Sequence, residues 1–173
     1  CSGNRVFISQ FNGYKKDIMR NILNQTPFDW KEYFDGFRTS NKQLVDYLKN
    51  CGTGARNKHI PENFKSLSTN QLKILWRALM LGDGYIKGNS YCTISEKLCE
   101  DIIEIGLKCG FSVTSVKTKS SRENCSDYFL IYFRTSNLTF NIRSKGIQLV
   151  PYAGKVYCVE VPKYHTIIIM RNG

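Results

Sequence analysis

Hydrophobic and polar positions follow two rhythms along this chain, one helical and one alternating. Between Ser68 and Tyr85 the residues Leu72, Leu75 and Leu79, with Ile74, Ala78 and Leu81, recur at helical spacing. They surround the segment almost completely, which predicts a buried helix. Ser68 with Gln71 forms a capping box at its start, and Gly82 with Gly84 supplies the stop. Ala78 and Gly82 leave one face smooth enough for a second helix to pack closely. Upstream, Arg5 to Gln10 alternates as a strand, and Lys15 to Leu23 is amphipathic, with Ile18, Met19, Ile22 and Leu23 on one face. Trp30 to Thr39 reads as a hairpin turning at Asp35-Gly36. Lys42 to Asn50 is a short helix, and Thr53 to Pro61 is a basic loop.

The same order then returns. Tyr91 to Ser95 is a strand, Ser95 caps a helix over Lys97 to Lys108, and Ser112 to Ser120 alternates again. That alternation places Val113, Ser115, Lys117 and Lys119 on one face. A polar turn over Ser121 to Asp127 leads to a strand from Tyr128 to Thr135. Two further short strands are predicted at Lys155 to Pro162 and His165 to Met170.

One pentapeptide marks this recurrence. Phe-Arg-Thr-Ser-Asn occurs at Phe37 to Asn41 and at Phe133 to Asn137, and the flanking features match in order. A duplicated unit accounts for both. Aligning Ile8-Ser9 with Ile94-Ser95 starts the first unit just after the place where its own Gly-Asp-Gly helix belongs. The expectation is a fragment or a decayed copy, with Cys1 a trimming boundary and no base identifiable to activate its thiol.

Charge narrows the partners. Lys and Arg number 25 against 14 acids, a formal charge of +11. Dividing the chain after residues 70 and 145 leaves +5, +4 and +2, so no single tail carries the excess. A broad basic surface favours a polyanion, nucleic acid ahead of anionic membrane. No apolar run is long enough to cross a bilayer and no signal peptide opens the chain. Seven cysteines without a C-x-x-C pair, several in apolar settings such as Cys92, Cys99 and Cys109, predict reduced thiols in an intracellular protein. A cytoplasmic location and a prokaryotic or phage origin are the expectation. They argue against structural zinc, and the distant His59 and His165 argue against a histidine metal site. The aromatics Phe28, Trp30, Tyr33, Phe34 and Phe37 are expected in the core and not as base-stacking platforms.

With these pieces in place the chain resembles a LAGLIDADG-type homing endonuclease domain of the kind carried inside inteins. The nonamer Trp76-Arg77-Ala78-Leu79-Met80-Leu81-Gly82-Asp83-Gly84 matches that family's second signature, although Trp76 and Arg77 depart from its usual start. Lys58-His59-Ile60-Pro61 and Tyr91 to Ser95 resemble its flanks, and the likeness spans roughly residues 4 to 145. Val156 to Pro162 followed by His165 is similar to a late block of intein splicing domains.

The resemblance implies an α+β fold of pseudo-twofold αββαββα units with antiparallel saddle sheets, the first signature helix missing and a short β tail. It divides the chain into a first endonuclease half at 1–67, a second half with its signature helix at 68–145, and a partial splicing-domain tail at 146–173. It implies site-specific, Mg²⁺-dependent cleavage of double-stranded DNA, incomplete in this chain, with Asp83 as the acid of the second half. Asp83 and Gly82 would hold the ion, and Lys117 and Arg134 are candidates to stabilise the phosphate transition state. Arg5, Arg38, Lys87, Lys117, Lys119, Arg122 and Arg134 would contact DNA, and His165 would assist splicing. Self-association through the signature helix, and host flanks in a parent protein, would be the further partners. Read without the resemblance, the Gly-Asp-Gly helix is equally a core helix with a solvated Asp, and each cation an ordinary strand residue. A nucleic-acid-binding relative without cleavage, of the maturase or regulator kind, and a remnant splicing element are the alternatives.

Overall fold

Both copies of the repeated pentapeptide begin on interior strands of antiparallel sheets. The computed structural model describes residues 4–121, 123, 125–136, 149–157 and 160–163. In chain order the elements are β1 (Arg5–Ser9), α1 (Tyr14–Leu23), β2 (Lys31–Tyr33), β3 (Gly36–Ser40), α2 (Lys42–Lys49) and α3 (Glu62–Lys65). They continue with α4 (Thr69–Gly82), β4 (Gly84–Tyr85), β5 (Ser90–Thr93), α5 (Glu96–Lys108), β6 (Ser112–Thr118) and β7 (Tyr128–Arg134). The fold is α+β, with one sheet ordered β1-β3-β2 and another ordered β4-β5-β7-β6. Each contains a strand–helix–strand–strand unit whose last strand lies between the first two.

The registers of the two units differ. Phe37 faces Ile8, whereas the Phe133 amide donates to the Asn89 carbonyl at 2.9 Å. Asn89 lies five positions before Ile94, the residue that the alignment of Ile8-Ser9 with Ile94-Ser95 equates with Ile8. The strand-to-helix connections explain the shift: residues 10–13 separate β1 from α1, while Ser95 caps α5 directly by accepting from the Leu98 amide.

Burial on one face of each sheet organises the core. Phe37, Val45, Ile102, Ile105 and Ile131 are almost fully enclosed, and each such side chain contributes about 1.5–3 kcal/mol. Gly36, at φ +144°, has no room for a Cβ, which would collide with the Ile8 carbonyl. Gly106 lets α5 approach the sheet, where a Cβ would stand 2.7 Å from Val113 Cγ2. Trp76 of α4 packs on the same face, its ring centroid 4.6 Å from that of Phe111 and 5.5 Å from that of Phe133.

A buried ionic cluster joins α3 to α5. Asp101 accepts from the Ile60 amide at 2.8 Å and from Lys65 Nζ at 2.9 Å, and Lys65 also meets Glu62 at 2.6 Å and Glu104 at 3.2 Å. Burial opposes the Lys65 charge, but these carboxylates outweigh it and raise the ammonium above the usual lysine range.

Several expectations are corrected. Helix α4 is buried on one side only: Leu72 and Met80 are enclosed, while Ile74 and Ala78 are exposed and a Cβ on Gly82 would meet no atom within 4 Å. Its stop is not left-handed glycine. Asp83 caps it at φ −98°, and Gly84 is needed because a Cβ would press into the Met80 backbone. Cys92 is exposed, since its side of β5 is the side opposite buried Tyr91 and Thr93. Tyr33 is exposed because it lies on the side of its sheet opposite buried Phe37, and Phe34 because it stands in the turn of the first hairpin. Among the described residues 149–157 and 160–163 there is no strand, and Val156 and Tyr157 are exposed; the strand expected at His165 to Met170 lies outside the described residues. Among the described residues no helix is long and apolar enough to cross a membrane.

Candidate functional site

The C-terminal end of α4 is a place of concentrated charge. The last carbonyls of a helix carry partial negative charge, and here the Asp83 carboxylate adds to it. Lys15 of α1 meets this end, donating from Nζ to the Gly82 and Gly84 carbonyls at 3.0 Å each. Asp83 borders a cavity of about 420 Å³ with Tyr85, Ser90, Cys92, Leu130 and Tyr132. Burial, and then the Asp83 charge, push the Tyr91 hydroxyl and the Cys92 thiol upward, so neither is an activated group.

This arrangement bears on the expected Mg²⁺ site. The cavity lining contains one carboxylate, and the Gly82 carbonyl already accepts from an ammonium. Among the described residues no three His, Cys, Asp or Glu side chains converge to hold a metal ion. The donors present do not by themselves fit the ion.

The cations separate onto different surfaces. On the three-stranded sheet the buried Val6 and Phe37 point to the helical side, which leaves Arg5, Phe7, Lys31, Tyr33 and Arg38 on the open side. Arg5 lies across from Ser40, and both Phe7 and Lys31 lie across from Arg38. Arg38 is not free to reach outward. Its guanidinium pairs with Asp35 at 2.7 Å and lies 4.9 Å from the Phe7 ring centroid and 4.3 Å from that of Tyr33. Arg5 and Lys31 make no ion pair among the described residues.

On the four-stranded sheet Arg134 is exposed at the end of β7, on the same face as Tyr132, Leu130 and Cys92. Lys87 lies at the same corner, two residues before the Asn89 carbonyl that receives the Phe133 amide. Lys119 is exposed just past β6. Lys117 is on the other face: it alternates with Val113, which packs on Gly106 of α5, and its ammonium lies 5.5 Å from the Phe129 ring. Lys117 therefore faces away from the Asp83 cavity, whereas Arg134 shares the face of Leu130 and Tyr132, which line that cavity. Arg122 and His165 lie outside the described residues.

Sequence reasoning missed Lys15, Lys31 and Phe7. The last two were accessible, since Phe7 alternates with Arg5 and Lys31 stands in the hairpin arm facing Arg38. Lys15 had no local signal, because its partners lie 67 and 69 positions away.

No family model matches this sequence. Over 127 residues it is 28% identical to a protein of Chlamydomonas moewusii named ATP-dependent Clp protease proteolytic subunit. The match covers 71% of this chain and 12% of that protein, so the chain spans a small part of the relative's length. That relative is named for proteolysis. The match overturns the expectation of a site-specific, Mg²⁺-dependent DNA endonuclease: the hydrolase to which the sequence leads is of another kind.

Proposed function

We propose that this chain is a double-stranded-DNA-binding module of LAGLIDADG-like architecture, in which two strand–helix–strand–strand units offer their open sheet faces to a duplex. The observation that carries the reading is the helix-free face of β1-β3-β2, where Arg5 and Lys31 stand exposed without acidic partners among the described residues. Arg134 and Lys87 add a second basic corner, and the formal charge of +11 supplies long-range attraction. Such cations act by neutralising phosphates and releasing counterions.

The proteolytic activity in the relative's name remains with that protein. Here the described histidine, His59, hydrogen-bonds through Nδ1 with the Asn57 carbonyl, and burial pushes the nearby Cys51 thiol up, the reverse of activation for a nucleophile.

The test is duplex affinity in charge-removal variants. Arg5→Gln, Lys31→Gln and Arg134→Gln should each weaken binding and lower the salt slope by about one unit. Lys73→Gln, on the surface of α4 near Cys109, should leave both unchanged. Equal effects at all four positions would reduce the reading to nonspecific charge.

A further inference from the structure

We infer that the open face of β1-β3-β2 is a stacking site for the unpaired bases of a single-stranded nucleic acid, an inference that rests on the nucleic-acid reading above. Phe7 and Tyr33 lie on this face with 44% and 42% of their surface exposed. Their rings flank the Arg38 guanidinium at 4.9 and 4.3 Å, and Asp35 fixes that guanidinium at 2.7 Å. Three planar groups held in this way form a platform that loses little freedom when a fourth plane is added.

A cavity of about 570 Å³ adjoins the platform, and Arg5, Phe28, Asp29, Lys31 and Ser40 are among its lining. The volume suits a small organic ligand, and the chemistry suits a nucleotide. A base stacks on Tyr33 or Phe7, the flanking phosphates meet Arg5 and Lys31, and the Asp29 carboxylate accepts from an exocyclic amino group. In a duplex the base faces are already covered by their neighbours and only edges are offered in the grooves. Exposed aromatic faces therefore gain from unpaired bases and not from paired ones. The open face of the four-stranded sheet carries no comparable ring–guanidinium stack among the described residues.

The test uses the full chain and cytosine oligomers of about 12 nucleotides, as DNA and as RNA, each carrying one 2-aminopurine, beside a duplex of the same length. Stacking quenches 2-aminopurine. The expected result is quenching on binding, with Phe7→Leu and Tyr33→Leu each lowering single-strand affinity about tenfold and abolishing the quench, while Tyr33→Trp keeps it and duplex affinity holds. Quenching by one strand chemistry alone also supports the site and identifies which it takes. Binding without quenching in the unmodified protein overturns the inference, as does full single-strand affinity in both folded leucine variants, whatever the duplex does. Quenching in the absence of duplex binding supports the stacking site and removes the duplex reading; no binding of either removes both.

Discussion

The ammonium of Lys15 donates to the carbonyl oxygen of Gly82 at 3.0 Å across 67 positions of the chain. With its second bond to Gly84 it ties helix α1 of the first unit to the end of helix α4. It also offsets the negative helix end that Asp83 aggravates. Lys15→Met, which keeps most of the apolar stem, should lose about 1–2 kcal/mol of stability in urea unfolding. An unchanged midpoint would show that this link between units is not stabilising.

Asp101 is fully enclosed and serves both the Ile60 amide and Lys65. Removing it leaves an ammonium buried against two rim carboxylates. Asp101→Ala should cost about 3–5 kcal/mol, and Asp101→Leu combined with Lys65→Met should recover much of the loss. The comparison is read from denaturant midpoints. If the double variant were worse than the single, charge pairing and not desolvation would dominate.

Acid should weaken the protein through two glutamates. The Arg20 guanidinium holds Glu32 down to about 2 from its usual 4.5, and Lys108 followed by Lys65 lowers Glu104. Groups depressed in the fold stabilise it fully above their unfolded value, and that contribution is lost as pH falls through the folded one. Melting temperature should therefore decline between about pH 4.5 and about pH 2, and Glu32→Gln should flatten the lower part of that decline. A curve unaffected by the substitution would remove Glu32 from the account.

Gly36 and Gly54 both have positive φ, +144° and +77°, but only Gly36 is crowded. Gly36→Ala should cost more than about 3 kcal/mol, since a Cβ meets the Ile8 carbonyl. Gly54→Ala, in open space, should cost about 1–2 kcal/mol. Similar thermal shifts for the two would contradict the register drawn for β1 and β3.

Much of the architecture was legible because one face of each sheet is buried, which imposes a period of two on β1, β6 and β7. The pentapeptide repeat was legible for the same reason: Phe37 and Phe133 are 2% and 3% exposed, each anchoring an interior strand. Elements of two and four residues, β4 and α3, carry no period and passed unseen. The exposure of Ile74 and Ala78 was hidden because an apolar helix does not reveal whether both of its sides have partners. Tyr33 and Phe34 misled for the opposite reason: apolar residue types suggested core, while an open sheet face for Tyr33 and a hairpin turn for Phe34 decide exposure. At the candidate site the cations were legible, but their faces depended on which side α1 and α5 cover. The endonuclease expectation rested on the nonamer around Asp83, whose local pattern carries no information about converging ligands.

The most direct test of the nucleic-acid reading is the affinity of the full chain for duplex DNA, followed by fluorescence anisotropy from about 50 to about 200 mM salt. With Arg5, Lys31 and Arg134 on phosphates, the logarithm of affinity should fall linearly with that of salt, with a slope near −3 or steeper. Absent binding at the lowest salt, or an affinity indifferent to salt, would contradict it.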